Sequence, residues 1–153
     1  MVSSSDIPNL VVNTPLWLAL VTTAVGAVEG GIIGRSRSTV AYDIVGASVF
    51  ALFLGLGGGF ARDTMLGNTP FVALRSPWYL VAVLVGLAIA LVAGRWIPMR
   101  GTAFVALDAL TIGLYAAVGT QYALDFDVSW IGAIVVGLFA SLTGGVVVAV
   151  LRG

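Results

Sequence analysis

"DIVGASVFALFLGLGGGFARDTMLG", residues 43–67, is an apolar run long enough to cross a bilayer, and it ends in a glycine cluster followed by an Arg-Asp pair. Each glycine inside a helix costs about 1 kcal/mol relative to alanine, so Gly55, Gly57, Gly58 and Gly59 together cost about 4 kcal/mol if the run is helical. Something in the fold must offset that. Two devices do so in membrane helices: close approach of neighbouring backbones, and a break whose freed carbonyls are satisfied by protein or by water.

The composition names the solvent. The chain has 153 residues, 59% hydrophobic and only 9% charged, with a mean hydropathy of +1.09. Soluble domains carry about a quarter charged residues, so this is an integral membrane protein. Seven arginines balance seven acidic residues, which offers no charge field for nucleic acid. Cysteine and histidine are absent, which excludes disulfides and thiolate metal sites and removes the commonest metal ligand and acid–base group. No cofactor is expected. Nothing in the sequence gathers a nucleophile, a base and an orienting group, so an enzyme is not expected either.

A helical span needs about 20 apolar residues, and open strands are not tolerated in hydrocarbon. Five segments qualify as helices, at roughly 15–34, 41–66, 78–97, 102–124 and 128–151. Residues 1–14 lack the basic opening of a secretory signal and read as an exposed tail. The short loops carry most of the charge. One side collects Arg35, Arg37, Arg95, Arg100 and Arg152; the other has Asp6, Asp125 and Asp127, with Arg62 and Arg75 as its basic residues. The positive-inside rule then places the N-terminus outside and the C-terminus in the cytoplasm. Trp78, Tyr79 and Trp96 are expected in the interfacial belts.

Laying residues 43–66 over 129–152 reveals an internal repeat. Gly46, Ala47, Phe53, Leu56, Gly58 and Gly59 fall on Gly132, Ala133, Phe139, Leu142, Gly144 and Gly145. The preceding spans align as well, "AVGA" at 24–27 with "AVGT" at 117–120. Residues 15–98 form a first unit of three spans and residues 99–153 a second, incomplete unit of two. Three is odd, so the second unit enters the membrane from the opposite side: the expected fold is all-α with an inverted repeat, whose functional site lies near the midplane between the halves.

At a spacing of four the second span reads Asp43, Ala47, Ala51, Gly55, Gly59, Asp63, and the fifth reads Ser129, Ala133, Gly137, Ser141, Gly145, Ala149. These small stripes allow close packing. Gly57 and Gly58 lie off the stripe and so read as a break or hinge, one that should tolerate alanine in the fold. Charges inside the spans point to a polar path. Glu29 and Asp108 share one depth, about 6–8 Å to the cytoplasmic side of the midplane at about 1.5 Å per residue, and such groups face protein or a water-filled route. A hydroxyl such as Thr111 could instead satisfy them locally. Adjacent side chains diverge on a helix, so Arg62 is expected to find its partner on another helix rather than in Asp63.

The stretch quoted at the outset resembles the bacterial glycine-transporter-domain family, related to the trimeric intracellular cation (TRIC) channels, whose mark is a glycine triplet followed by Arg-Asp. Gly57, Gly58, Gly59, Arg62 and Asp63 match that mark in order. The second copy departs from it, with Thr143 for the first glycine and Val148-Ala149 where Arg-Asp would stand. The resemblance implies two inverted three-helix units plus a seventh helix, the last two helices lying beyond Gly153, a homotrimer in the bacterial inner membrane, and a path within each protomer past glycine breaks in the second and fifth spans.

Three functions follow as expectations. The first is a channel for a monovalent cation, potassium or sodium, with Gly55, Gly57, Gly58, Gly59, Gly144 and Gly145 forming pore or hinge, and Glu29, Asp43, Arg62, Asp63 and Asp108 attracting ions or gating. The second is a carrier for glycine, whose carboxylate Arg62 or a broken-helix N-terminus would hold. The third is a scaffold that transports nothing.

Overall fold

The computed structural model describes residues 14–35 and 44–152, so the exposed tail expected at the N-terminus, apart from Thr14, and the site residue Asp43 lie outside the described residues. The described chain is helical: α1 spans Leu16–Arg35, α2 Ile44–Met65, α3 Val72–Arg75, α4 Trp78–Ala93, α5 Thr102–Asp125 and α6 Trp130–Arg152. Four of these, α1, α2, α5 and α6, are long and apolar enough to cross a membrane. The fifth, α4, has 16 residues and continues into a 3₁₀ turn over Gly94–Trp96. The five expected spans are therefore present, with the middle one short, and a four-residue helix is added before it.

Local chemistry sets the ends. After α2, Gly67 adopts a left-handed φ of 63°, and Asn68 N–H returns 2.8 Å to the Asp63 carbonyl, a Schellman-type stop that needs a residue able to take positive φ. Asp127, at φ 57°, does the same after α5, with Val128 N–H reaching the Ala123 carbonyl at 3.3 Å. Arg35 at the end of α1 donates to the Leu91 carbonyl near the end of α4, placing a cation at a helix C-terminus, where the dipole favours it.

Helix α1 packs on α2, α4 and α5, α5 packs on α6, and α2 crosses α6. The interior is built from small residues, with Ala27, Ala51, Ala123 and Ala133 fully buried. A Cβ on Gly26 would lie 2.8 Å from the Leu54 carbonyl, and one on Gly119 would lie 3.1 Å from the Ala140 side chain. These two contacts are equivalent positions of the internal repeat, so α1 meets α2 as α5 meets α6. The outward faces of α4 and α6 expose Leu84, Val85, Ile89, Ile131, Leu138 and Val150, as helices solvated by hydrocarbon can. Trp78 and Trp96 are exposed, as belt residues should be, but Tyr79 turns inward and packs with Ala19 and Val118.

The glycine cluster corrects two expectations. Helix α2 runs unbroken from Ile44 to Met65, and α6 is likewise continuous through Gly144 and Gly145. There is no helix break at either glycine cluster. Nor are the off-stripe glycines spare: a Cβ on Gly57 would come 3.3 Å from Gly144 Cα, and one on Gly58 would come 2.5 Å from the Ala140 carbonyl and 2.6 Å from the Tyr115 ring. Gly55, on the stripe, packs against Thr23 and Ala27, whereas Gly59 and Gly145 have nothing within 4 Å. The physical reason is that α2 is contacted on several sides, by α1, α4, α5 and α6, so one stripe of period four cannot account for all its close approaches.

Candidate functional site

Polar groups gather inside the bundle at two levels. At the end of α2, Arg62 and Asp63 are both buried, 5% and 1% exposed, and pair with each other: Arg62 donates from Nε at 2.9 Å and from Nη2 at 2.7 Å to Asp63 Oδ1. The expectation that they diverge fails because it concerns Cβ directions, while the arginine stem is long enough to bring the guanidinium back over its neighbour. A partner on another helix exists as well. The Arg62 guanidinium carbon stands 3.8 Å from the centre of the Tyr122 ring on α5, a cation–π contact. Asp63 Oδ2 accepts the Val72 N–H at 2.7 Å, satisfying one of the orphan donors at the start of α3. Asn68 extends the cluster, receiving Arg75 at 3.0 Å and reaching Tyr122 at 3.4 Å.

The second level is acidic. Glu29 of α1 and Asp108 and Thr111 of α5 line one cavity, near enough for the two carboxylates to interact, so the residues expected at one depth do come together, with Thr111 as the neighbouring hydroxyl. Thr111 also points to the Leu107 carbonyl at 3.0 Å. Glu29 is 4% exposed, and its Oε2 is buried with no hydrogen-bond partner among the described residues. A buried, half-satisfied carboxylate beside another is costly unless a proton or a cation lies between them.

Both levels border cavities. One of about 270 Å³ is lined by Glu29, Asp108, Thr111, Ser141, Gly144 and Gly145, among others. A small one of about 20 Å³ is lined by Thr22, Thr23, Gly55, Gly59, Arg62 and Tyr79, among others; it has room for about one water molecule. Gly58 lines both, together with Tyr115 and Ala140, while Gly57 lines neither. Tyr115 is buried and donates from its hydroxyl to the Gly55 carbonyl at 2.5 Å. The sequence reading missed Tyr115, Tyr122 and the threonine pair. The signal was there: a tyrosine in the middle of an apolar span must find a partner for its hydroxyl.

The chain is a multi-pass helical membrane protein that holds two carboxylates, hydroxyls and a buried ion pair within its bundle. A family model described as "Glycine transporter" matches residues 16–95 and 105–153, and the chain belongs to that family. It is 26% identical over 131 residues to a UPF0126 membrane protein of Deinococcus radiodurans, covering 86% of this chain and 60% of that one. It is 30% identical over 128 residues to a UPF0126 membrane protein of Vibrio cholerae, covering 82% and 52%. With the UPF0126 inner membrane protein YadS of Escherichia coli it shares 28% over 134 residues, covering 86% and 62%. The chain thus spans 52–62% of the length of these relatives. Among solved structures it is similar to the TRIC trimeric intracellular cation channel orthologue from Rhodobacter sphaeroides, with a TM-score of 0.76 at 28% identity over 90% of this chain and 70% of that one. A second TRIC cation channel, from work on the structural basis of conductance, gives a TM-score of 0.69 at 26% identity, covering 88% and 65%.

Proposed function

We propose that this protein conducts monovalent cations as a TRIC-like channel of the bacterial inner membrane, as a homotrimer with a path inside each protomer. The observation that carries the reading is the Glu29–Asp108 pair on a cavity of about 270 Å³, with one Glu29 oxygen left unpartnered. Acidic lining attracts cations and repels anions, and the resemblance to two TRIC cation channels supports the same direction. The two units of the repeat, 15–98 and 99–153, each contribute one carboxylate to the pair.

Potassium flux from protein-containing liposomes tests it. Glu29→Gln and Asp108→Asn are each expected to lower the flux by about tenfold, the factor that about 1.4 kcal/mol of lost attraction produces. Flux unaltered in both well-folded variants would remove the pair from the path. Radiolabelled glycine in the same vesicles tests the carrier reading. Its carboxylate would need a free cation, and Arg62 is engaged by Asp63 and Tyr122. A scaffold predicts no flux of either solute.

The orientation proposed, N-terminus outside and C-terminus cytoplasmic, follows the arginine distribution. The chain has no cysteine, so single cysteines at Ser36 and Asp125 report directly. They are expected to react with impermeant maleimide from opposite faces, and reaction from the same face would reject this topology.

A further inference from the structure

The two cavities share three lining residues. Along α5, Asp108 and Thr111 line the larger, Tyr115 lines both, and Val118 and Gly119 line the smaller. Along α1 the order is reversed, with Thr22 and Thr23 at the smaller cavity and Glu29 at the larger. Antiparallel helices would give this order if the two spaces lay on one axis, and from Asp108 to Gly119 that axis is about 16 Å long at about 1.5 Å per residue. The wall between them is made of three residues common to both, Gly58, Ala140 and Tyr115. Two of these are fixed: Gly58 has no side chain to move, and Ala140 has only a methyl. Tyr115 alone can rotate.

Packing and hydrogen bonding both hold Tyr115 in the wall. Its ring lies in the notch left by Gly58, where a Cβ would come within 2.6 Å of it, and its hydroxyl donates 2.5 Å to the Gly55 carbonyl. That carbonyl lies inside the continuous helix α2, so the tyrosine uses its second lone pair. Tyr115 is clamped through its hydroxyl, by the Gly55 carbonyl with Thr23 beside it, and borders a cavity of about 270 Å³ on its other side; it has a closed position and open space next to it.

We propose that Tyr115 is the gate of the path: with its hydroxyl on the Gly55 carbonyl it separates the Arg62 cavity from the Glu29–Asp108 cavity, and its rotation into the larger cavity joins the two. The gate works with α2 unbroken; a side chain moves and the helix does not. This rests on the cation-path reading, so the test has one arm that reads the gate without reading potassium.

Two single-cysteine variants, Thr22→Cys in the smaller cavity and Ser141→Cys in the larger, are reconstituted in liposomes as the full chain. Silver ion, which is small and binds thiolate, is added to one face at a time, and thiols left free are counted after denaturation. With Tyr115 present, silver is expected to protect each cysteine from a single face, opposite for the two. With Tyr115→Ala it is expected to protect both from either face. Tyr115→Phe keeps the ring and its packing but loses the clamp, and potassium flux is expected to rise by about tenfold, the scale set by one buried hydrogen bond. Protection of either cysteine from both faces while Tyr115 is present overturns the gate. So does unchanged sidedness in Tyr115→Ala, or, should that variant misfold, unchanged flux and sidedness in Tyr115→Phe. If sidedness is lost in Tyr115→Ala while no variant passes potassium, the gate stands and the cation reading falls.

Discussion

Asp63→Ala is expected to destabilise the protein by about 3–5 kcal/mol, the cost of leaving a buried charge without its partner. Asp63 is the most constrained polar residue in the bundle, 1% exposed, with two hydrogen bonds from Arg62 and one from the Val72 N–H. Alanine strands the guanidinium, which keeps only its stacking on Tyr122, and orphans the first amide of α3. Thermal unfolding in detergent would show this as a large drop in Tm. The double variant Arg62→Met with Asp63→Asn removes both charges together and should recover much of the loss, since well-packed neutral groups replace buried ion pairs at little cost. Equal Tm for Asp63→Ala and wild type would mean that water reaches Arg62 and that the pair is not a closed unit.

A sign reversal between neighbouring glycines is the second expectation. Gly59→Ala meets nothing within 4 Å and should stabilise α2 by up to about 1 kcal/mol through helix propensity alone. Gly58→Ala gains the same propensity but puts a methyl 2.5 Å from the Ala140 carbonyl and 2.6 Å from the Tyr115 ring. Overpacking of that kind costs about 1–3 kcal/mol, and a backbone carbonyl on a packed helix cannot easily withdraw. Gly58→Ala should therefore lower Tm while Gly59→Ala raises it. Parallel shifts in the two variants would show that α2 can move away from Ala140 of α6 and Tyr115 of α5 at this level.

Span positions were legible because they depend on a scalar quantity, the length of an apolar run set by bilayer thickness. Each long helix of the structure falls on an expected segment, and α4 is short because Pro77 precedes it and Gly94 begins the 3₁₀ turn after it. The common depth of Glu29 and Asp108 was legible for the same reason: both residues are charged, and depth can be counted along each helix. Directions around a helix were less legible. The spans are apolar on nearly every face, so periodicity does not say which side meets protein and which meets lipid. The stripe through Gly55 and Gly59 was right at one glycine and empty at the other, and Gly58, off the stripe, makes the closest approach of the cluster. The Arg62–Asp63 pair was misread because Cβ spacing says little about where a long side chain ends. Tyr115 was missed because a single aromatic residue in an apolar run resembles core packing until its hydroxyl acceptor is known.

The equivalence of the Gly26–Leu54 and Gly119–Ala140 contacts makes the α1–α2 pair and the α5–α6 pair counterparts of each other, yet the side chains break that equivalence. Tyr122 stands in the repeat where Glu29 does, and Val148 stands where Arg62 does. One level of the bundle therefore carries two neighbouring carboxylates, and the other carries a guanidinium already matched by its own aspartate. Two helix pairs of one origin thus give the bundle a front and a back, and on the proposed path a cation would meet the carboxylates and the ion pair in opposite order in the two directions of travel.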